Sequence, residues 1–332
     1  MHVAIIGATG LVGSLVRTLL AERAFPLSRL TLAASARSVG QSLDYLGAPA
    51  PIVSVADALA ARPELVFFAA GGAVSREWAP QFAAAGARVI DKSSVFRLDP
   101  NVPLVVPEIN GPAIGNAPLI ATPNCSTTQL VLVLAPLARE YGLKRLVIST
   151  YQAVSGTGAE ALAQLQREQQ GGGAGAVYPY PIHGNVLPQC DVFFDNGYTG
   201  EEMKLVHETR KILGLPHLAV TATAVRVPVA VGHSEAVNAE FERPFTLEAV
   251  RALLAAAPGV VVTDDPAARA YPMPLTAAGR DEVFVGRIRA DEGQPNTLNL
   301  WVVGDNLRKG AATNALQIAE YLVRETAAVA AP

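Results

Sequence analysis

Cysteine is almost absent from this chain. Its 332 residues include 2, Cys125 and Cys190, and neither sits in a CxxC pair or a Cys/His cluster of metal-ligand spacing. A disulfide-stapled scaffold and a structural zinc site are therefore excluded, no metal is expected, and a reducing cytoplasm is the expected setting. An excess of charge of one sign is also missing. Lys plus Arg number 26 against 29 Asp plus Glu, a net charge of -3, which gives neither a basic footprint for nucleic acid nor an acidic tail. No apolar run approaches the roughly 20 residues of a membrane span before Gly, Pro or a charge interrupts it. The first residues enter a strand at once, without the basic, apolar and small-residue order of a secretory leader. No internal repeat or low-complexity tract is visible. What remains is a small-molecule protein whose residues are 50% apolar, ample for large cores, and whose length suggests two domains.

The stretch Leu119 to Leu134 organises the reading. An apolar strand-like run meets Pro123 and Asn124, and a helical pattern follows from Cys125 to Tyr141. Asn is a favoured N-cap, so Cys125 is expected in the first turn, where unpaired backbone N–H groups and the positive dipole end favour thiolate over thiol. By residue type alone a cysteine beside an apolar run is a small core residue. Gln152, Arg226 and His233 reverse that reading, because they supply the other parts an acyl-transferring cysteine needs. Cys190 has no such setting and is read as structural.

The first half alternates strand and helix. His2 to Gly7 reads as a buried strand, and Ala8-Thr9-Gly10-Leu11-Val12-Gly13 turns into a helix that is apolar at Leu15, Val16, Leu19 and Leu20. Gly7, Gly10 and Gly13 fill a dinucleotide fingerprint, each where a side chain would obstruct the tight turn, the pyrophosphate or the helix–strand contact. A second strand ends in Ser35-Ala36-Arg37-Ser38, where an NAD-preferring fold usually carries an acidic residue. Hydroxyls and a guanidinium suit a 2′-phosphate instead, so NADP is expected. Further strands at Leu65 to Ala69, running into Gly71, and at Ala87 to Ile90 complete the pattern of a doubly wound parallel sheet.

Beyond a Pro-rich passage, Asp99 to Pro118, a strand from Leu146 to Tyr151 leads into Gln152-Ala153-Val154-Ser155-Gly156-Thr157-Gly158. That loop is either a second phosphate or nicotinamide contact or a turn. Gly171 to Gly175 reads as an exposed loop at a subunit contact. Glu201 to Leu213 is an amphipathic helix, and strand patterns then dominate at Val220 to Val227, Ala236 to Phe241, Val260 to Val262, Val283 to Ile288 and Leu298 to Val303. The expected architecture is α/β: a Rossmann-type domain over 1–124, a catalytic and dimerisation α+β domain with a mixed sheet over 125–305, and a C-terminal helix, 306–328, returning to the first.

With these segments in view, the chain resembles the aspartate-semialdehyde dehydrogenase family along its whole length. The resemblance rests on Gly-Ala-Thr-Gly-Leu-Val-Gly at 7–13, Ser-Ala-Arg-Ser at 35–38, Thr-Pro-Asn-Cys-Ser-Thr at 122–127, Tyr-Gln-Ala-Val-Ser-Gly at 151–156, Arg-Val-Pro-Val-Ala-Val-Gly-His-Ser-Glu at 226–235 and Asp-Asn-Leu-Arg-Lys-Gly-Ala-Ala at 305–312. It implies NADPH-dependent reduction of L-4-aspartyl phosphate to L-aspartate 4-semialdehyde and phosphate, in lysine, methionine and threonine biosynthesis. Cys125 would be the nucleophile and His233, preferred over His2, His183, His207 and His217, the general base and acid. Gln152 would orient the acyl group, and Asn124 with backbone N–H groups at the helix start would hold the oxyanion. Arg226 would grip the substrate carboxylate, Glu202 its amino group, and Lys204 and Arg97 the phosphate. The cofactor would meet Gly7, Thr9, Gly10, Leu11, Val12, Gly13, Ser35, Arg37, Ser38, Gly71, Ser155, Gly156 and, at its carboxamide, Asn306. The family forms homodimers or homotetramers. His183-Gly184-Asn185-Val186-Leu187-Pro188 departs from the family's Ala-Phe-Asn-Val-Ile-Pro, and the Gly171–Gly175 run is looser than the family's. The rival within enzymes is N-acetyl-glutamyl-phosphate reductase, whose blocked amine would not need an acidic partner such as Glu202. A non-catalytic paralogue is the rival outside them, and it would be expected to lose the cysteine or the histidine.

Overall fold

A computed structural model describes residues 1–173, 175 and 177–330, the stretch 326–330 by its backbone only. It divides into two compact units, Met1–Pro123 with the chain from Ala311 on, and Asn124–Gly310.

The first unit is built on a seven-stranded sheet. Its strands are β1 (His2–Ile6), β2 (Arg29–Ala33), β3 (Ser42–Tyr45), β4 (Ala48–Val53), β5 (Leu65–Phe68), β6 (Arg88–Asp91) and β7 (Leu119–Ala121), in the order β3-β4-β2-β1-β5-β6-β7. All neighbours run parallel except the β3–β4 hairpin at the edge. β1 and β5 are apolar on both faces, as strands covered on both sides must be. The sequence does not announce the hairpin because Pro49 and Pro51 argue against a strand; β4 tolerates them because both lie in its first part, which pairs with β3 alone, and only Ile52 and Val53 pair with β2.

Strand order reverses at β1, flanked by β2 and β5, and there the chain turns into α1 (Leu11–Glu22). Gly7 adopts φ +89° and donates its N–H to Ala33 O at 2.8 Å. A Cβ on Gly13 would lie 2.2 Å from Gly7 O, so the first turn of α1 closes on the end of β1 only without one. The N-cap Gly10 has no side-chain bond, and no acidic residue occupies the first turn. That helix mouth is open to an anion. Helices α2 (Val55–Ala60), α3 (Gly72–Ala84), entered through Gly71 at φ +85°, and α4 (Pro107–Asn110) complete this part.

The last helix, Thr313–Ala330, belongs to this unit and packs on α1, α4 and β6. It begins later than the expected 306, because Arg308–Ala312 form a wider π turn. Ala315, Leu316, Ile318 and Ala319 enter one core with Val3, Ile5, Leu19 and Phe67.

The second unit holds a six-stranded mixed sheet. Its strands β8 (Leu143–Gln152), β9 (Ala219–Arg226), β10 (His233–Phe241), β11 (Val260–Val262), β12 (Val283–Ala290) and β13 (Thr297–Gly304) follow the order β11-β12-β13-β10-β8-β9. α5 (Cys125–Tyr141) lies against β8, β10, β12 and β13. Its apolar run from Leu130 to Ala135 is buried without a break, which is how a helix hydrophobic all round must sit. The unit's other helices are α6 (Ala159–Gln169), α7 (Gly200–Leu213), α8 (Leu247–Ala255) and α9 (Pro274–Ala277). Of the glycine-rich run after α6, Gly171, Gly172 and Gly173 are exposed, and Ala174 lies outside the described residues.

Leu316 is fully buried. Leu316→Ala is expected to lower the stability of the first unit by about 2–5 kcal/mol, read as a lower urea midpoint; an unchanged midpoint would detach the last helix from this core.

Candidate active site

The thiol stands where the sequence put it. Cys125 is the first residue of α5 and is partly exposed, while Ser126 and Thr127 behind it are buried. Asn124 caps the helix: its Oδ1 accepts the N–H of Ser126 at 2.9 Å and of Thr127 at 3.3 Å. Its own backbone N–H goes to Glu208 Oε2 at 2.6 Å, and its Nδ2 donates one proton to Glu201 Oε1 at 2.8 Å. The cap therefore consumes the Ser126 and Thr127 amides, two of the helix-start N–H groups among which an oxyanion holder was expected.

Gln152 and Ala153, at the end of β8, gather the remaining groups. Gln152 Nε2 donates to Ser126 Oγ at 2.5 Å and to Glu201 Oε1 at 3.0 Å, and Gln152 is the register partner of Arg226 on β9. The Ala153 N–H donates to His233 Nδ1 at 3.0 Å, and the Ala153 carbonyl accepts from Arg226 Nη1 at 2.7 Å. His233 is fully buried, and Arg226 is buried. Between β9 and β10 the chain bends at Gly232, φ +98°, and brings the two side chains to one glycine. A Cβ on Gly156 would meet Arg226 Nη1 at 3.0 Å and His233 Nε2 at 3.1 Å. Because a backbone amide only donates, Nδ1 must carry a lone pair, and the proton of the neutral ring sits on Nε2. His233 so held presents its Nε2 proton as a hydrogen-bond donor in the neutral form.

The acidic partner requires a correction. Glu202 closes a capping box with Thr199: its Oε2 accepts the Thr199 N–H at 2.6 Å and its Oε1 accepts the Ala224 N–H at 2.9 Å. Both oxygens serve backbone amides. The carboxylate that joins Asn124 and Gln152 is Glu201, whose other oxygen meets Lys204 Nζ at 3.1 Å. Helical spacing carries the signal that was missed: Glu201 and Lys204 are i,i+3 neighbours, whereas Glu202 and Lys204, two apart, face different ways. Burial alone would raise the Glu201 pKa, but Lys204, Asn124 and Gln152 outweigh it and hold it at about 2. Two further residues have no role assigned from the sequence: Glu208, which lies in no motif, and Ser126, which belongs to the 122–127 segment without a function of its own there. Gly310 is a third omission: a Cβ there would lie 2.8 Å from Cys125 Cβ.

Asn306 accepts the Gly232 N–H at 2.9 Å on Oδ1 and donates to Ser155 Oγ at 2.9 Å, so it orders the bend that precedes His233. It precedes the π turn and does not open a helix. Burial pushes the Cys190 thiol up to about 12, which fits its structural reading. In the first unit Arg97 is buried and donates from Nη2 to Lys92 O at 2.8 Å. Ser35 and Arg37 are exposed after β2, and Ser38 is half-buried. Among the described residues no group of His, Cys, Asp and Glu has the makings of a metal site, and no helix is long and apolar enough to cross a membrane.

A dinucleotide-type sheet in one unit, with a thiol at a capped helix mouth and a buried histidine and arginine meeting at Gly156 in the other, defines a cysteine-dependent oxidoreductase. Residues 2–117 match the semialdehyde dehydrogenase NAD binding domain, and 134–309 the semialdehyde dehydrogenase dimerisation domain. The aspartate-semialdehyde dehydrogenases of Aquifex aeolicus and Legionella pneumophila are each 48% identical, with 98% of this chain and 98% and 96% of theirs covered. The crystal structure of aspartate semialdehyde dehydrogenase II from Vibrio cholerae is 43% identical, with a TM-score of 0.93 over 97% of this chain and 98% of that one; the same enzyme is also known complexed with ASA. The Candida albicans enzyme, solved with NADP, is 26% identical with a TM-score of 0.76, covering 97% of this chain and 98% of its own. The chain belongs to the aspartate-semialdehyde dehydrogenase family.

Two conservative variants separate the neighbouring glutamates. Glu201→Gln is expected to raise the aldehyde KM about tenfold or more, whereas Glu202→Gln is expected to lower the thermal midpoint and leave KM nearly unmoved; an aldehyde KM that moves in Glu202→Gln and not in Glu201→Gln would restore Glu202. A pH series adds to this. Since the Glu201 pKa is depressed from 4.5 to about 2, its network stabilises the fold fully above pH 4.5 and is lost as pH falls from 4.5 toward 2. In Glu201→Gln that acid-limb loss should shrink.

Proposed function

We propose that this chain catalyses the NADPH-dependent reductive dephosphorylation of L-4-aspartyl phosphate to L-aspartate 4-semialdehyde and phosphate, on the route to lysine, methionine and threonine. The observation that carries this reading is Cys125 at the mouth of α5, with its cap residue tied to a buried carboxylate.

The residues of the first unit fit a dinucleotide: the glycine turn admits backbone close to a pyrophosphate, and the mouth of α1 is uncapped. Gly7, Thr9, Gly10, Leu11, Val12, Gly13 and Gly71 would hold it. Ser35, Arg37 and Ser38, with no carboxylate among them, support NADP over NAD. Ser155, Gly156 and Asn306 would receive the nicotinamide. When bound, the reduced cofactor supplies the hydride.

The protein's own groups do the rest. Cys125 sulfur, ionised at the helix mouth, attacks the acyl carbon; the carbonyl electrons move to oxygen and return as the C–O bond to phosphate breaks. The product is a thioester, more electrophilic than a carboxylate. After reduction the thiohemiacetal oxyanion collapses, the C–S bond breaks, and thiolate and aldehyde separate. No base is needed at Nε2 in this sequence. His233 donates from Nε2 to the oxyanion, assisted by the remaining Asn124 Nδ2 proton, an interaction worth about 2.7–4 kcal/mol per donor. Arg226, anchored by the Ala153 carbonyl, binds the substrate carboxylate, Glu201 its amino group, Gln152 orients the acyl group, and Lys204 takes the phosphate.

Glu201 favours a free amino group and so argues against an N-acetylated substrate. The retained Cys125 and His233 argue against a non-catalytic paralogue. Val192 and Phe193, 62% and 58% exposed on one loop, support a homodimer formed through the second unit, of which a tetramer would be a further assembly. A cytoplasmic setting is in keeping with the cysteine usage.

Cys125→Ala is expected to abolish phosphate-dependent NADP reduction with aspartate semialdehyde, while NADP affinity by fluorescence titration stays nearly unchanged. Residual activity in that variant, or a preference for the N-acetyl-glutamyl aldehyde in the wild type, would overturn the assignment.

A further inference from the structure

One charge cluster in the second unit is left over by the thiol chemistry. Lys204 Nζ lies 3.1 Å from Glu201 Oε2 and 2.7 Å from Asp191 Oδ2. Glu201 is accounted for by Asn124 and Gln152. Asp191 is not. It sits on the loop before α7 at φ +71°, a left-handed conformation that Asp tolerates better than most residues. Its Oδ1 accepts the Val192 N–H at 2.9 Å. Gly200, the first residue of α7, makes room for it: a Cβ there would lie 2.8 Å from Asp191 Oδ2. A left-handed backbone and a missing side chain thus combine to hold this carboxylate over this ammonium.

Two carboxylates on one ammonium give the trio a net charge of -1, which repels a phosphate dianion unless one carboxylate withdraws. A lysine ammonium is a compact point charge with three donors on a flexible stem, so it can exchange one partner and keep the other. Glu201, only 10% exposed and bound to Asn124 and Gln152, is the fixed partner; Asp191, 38% exposed, is the exchangeable one. Burial alone would lower the Lys204 pKa, but the two carboxylates outweigh it and raise it, so the group stays cationic through the exchange.

We propose that Asp191 is a specificity-determining residue for phosphate: its carboxylate occupies on Lys204 the place of a phosphoryl oxygen, so phosphate binds by displacing it and leaves as it recaptures the ammonium. This rests on the assignment of Lys204 to phosphate made above.

The test uses the full-length enzyme in the phosphate-dependent direction, with aspartate semialdehyde, NADP and inorganic phosphate. Asp191→Asn keeps the acceptor for the Val192 N–H. It is expected to lower the phosphate KM about three- to tenfold while the aldehyde KM stays put. Gly200→Ala, which crowds the carboxylate without removing its charge, is expected to move the phosphate KM the same way. Lys204→Met alone should raise it, and adding Asp191→Asn to Lys204→Met should change nothing further. A phosphate KM that is unchanged or raised in both Asp191→Asn and Gly200→Ala overturns the proposal, as does a fall that persists alongside Lys204→Met. If Lys204→Met itself leaves the phosphate KM where it was, the Lys204 assignment falls and the proposal with it.

Discussion

The hydrogen bonds of Asn124 are the constraint on which this site depends. One side chain satisfies two orphan amides of α5 through Oδ1 and passes a proton to Glu201 through Nδ2, while its backbone amide is held by Glu208. The residue that caps the helix therefore also sets where the thiol begins and where the acidic group stands. Replacing an N-cap typically costs about 1 kcal/mol of helix stability, but here the same change would release Glu201, and Lys204 with it. The direct consequence is that the start of α5, Glu201 and Lys204 belong to one hydrogen-bonded network.

The Gln152–Ala153 strip plays the corresponding part on the sheet. Antiparallel pairing sets β10 beside β8, and parallel pairing sets β9 on its other side. Those registers bring the ends of three strands to one place, and Gly232 and Asn306 shape the bend that delivers His233 there. Ala153 uses both of its backbone groups, one on His233 and one on Arg226. An imidazole whose Nδ1 accepts the Ala153 N–H presents a donor at Nε2 in its neutral form. Close approach at Gly156 leaves no room for any side chain between the two.

Much of this was legible in the chain. The β1–glycine turn–α1 unit, the Asn124 cap before Cys125 and the apolar run of α5 each combine a local pattern with a single physical meaning, and the structure places them within a residue or so of where that pattern does. What was not legible has specific causes. The β3–β4 hairpin carries prolines, Pro49 and Pro51, which are tolerated because that part of β4 pairs on one side only, with β3. The last helix starts late because a π turn intervenes that has no sequence mark. Adjacent Glu201 and Glu202 look alike in sequence until the capping box with Thr199 claims Glu202. The Asp191–Lys204 pair joins a loop to a helix 13 residues on, and nothing in spacing announces such a contact.

The central claim is that the acyl group is held on Cys125 between phosphate and hydride chemistry, and it is tested most directly by leaving phosphate out. Mixing the wild-type enzyme with aspartate semialdehyde and NADP alone should give a burst of about one NADPH per active thiol and then stall. Peptide mass mapping of the stalled enzyme should find the aspartyl group on Cys125. Steady turnover without phosphate, no burst, or an adduct on Cys190 in place of Cys125 would contradict the account.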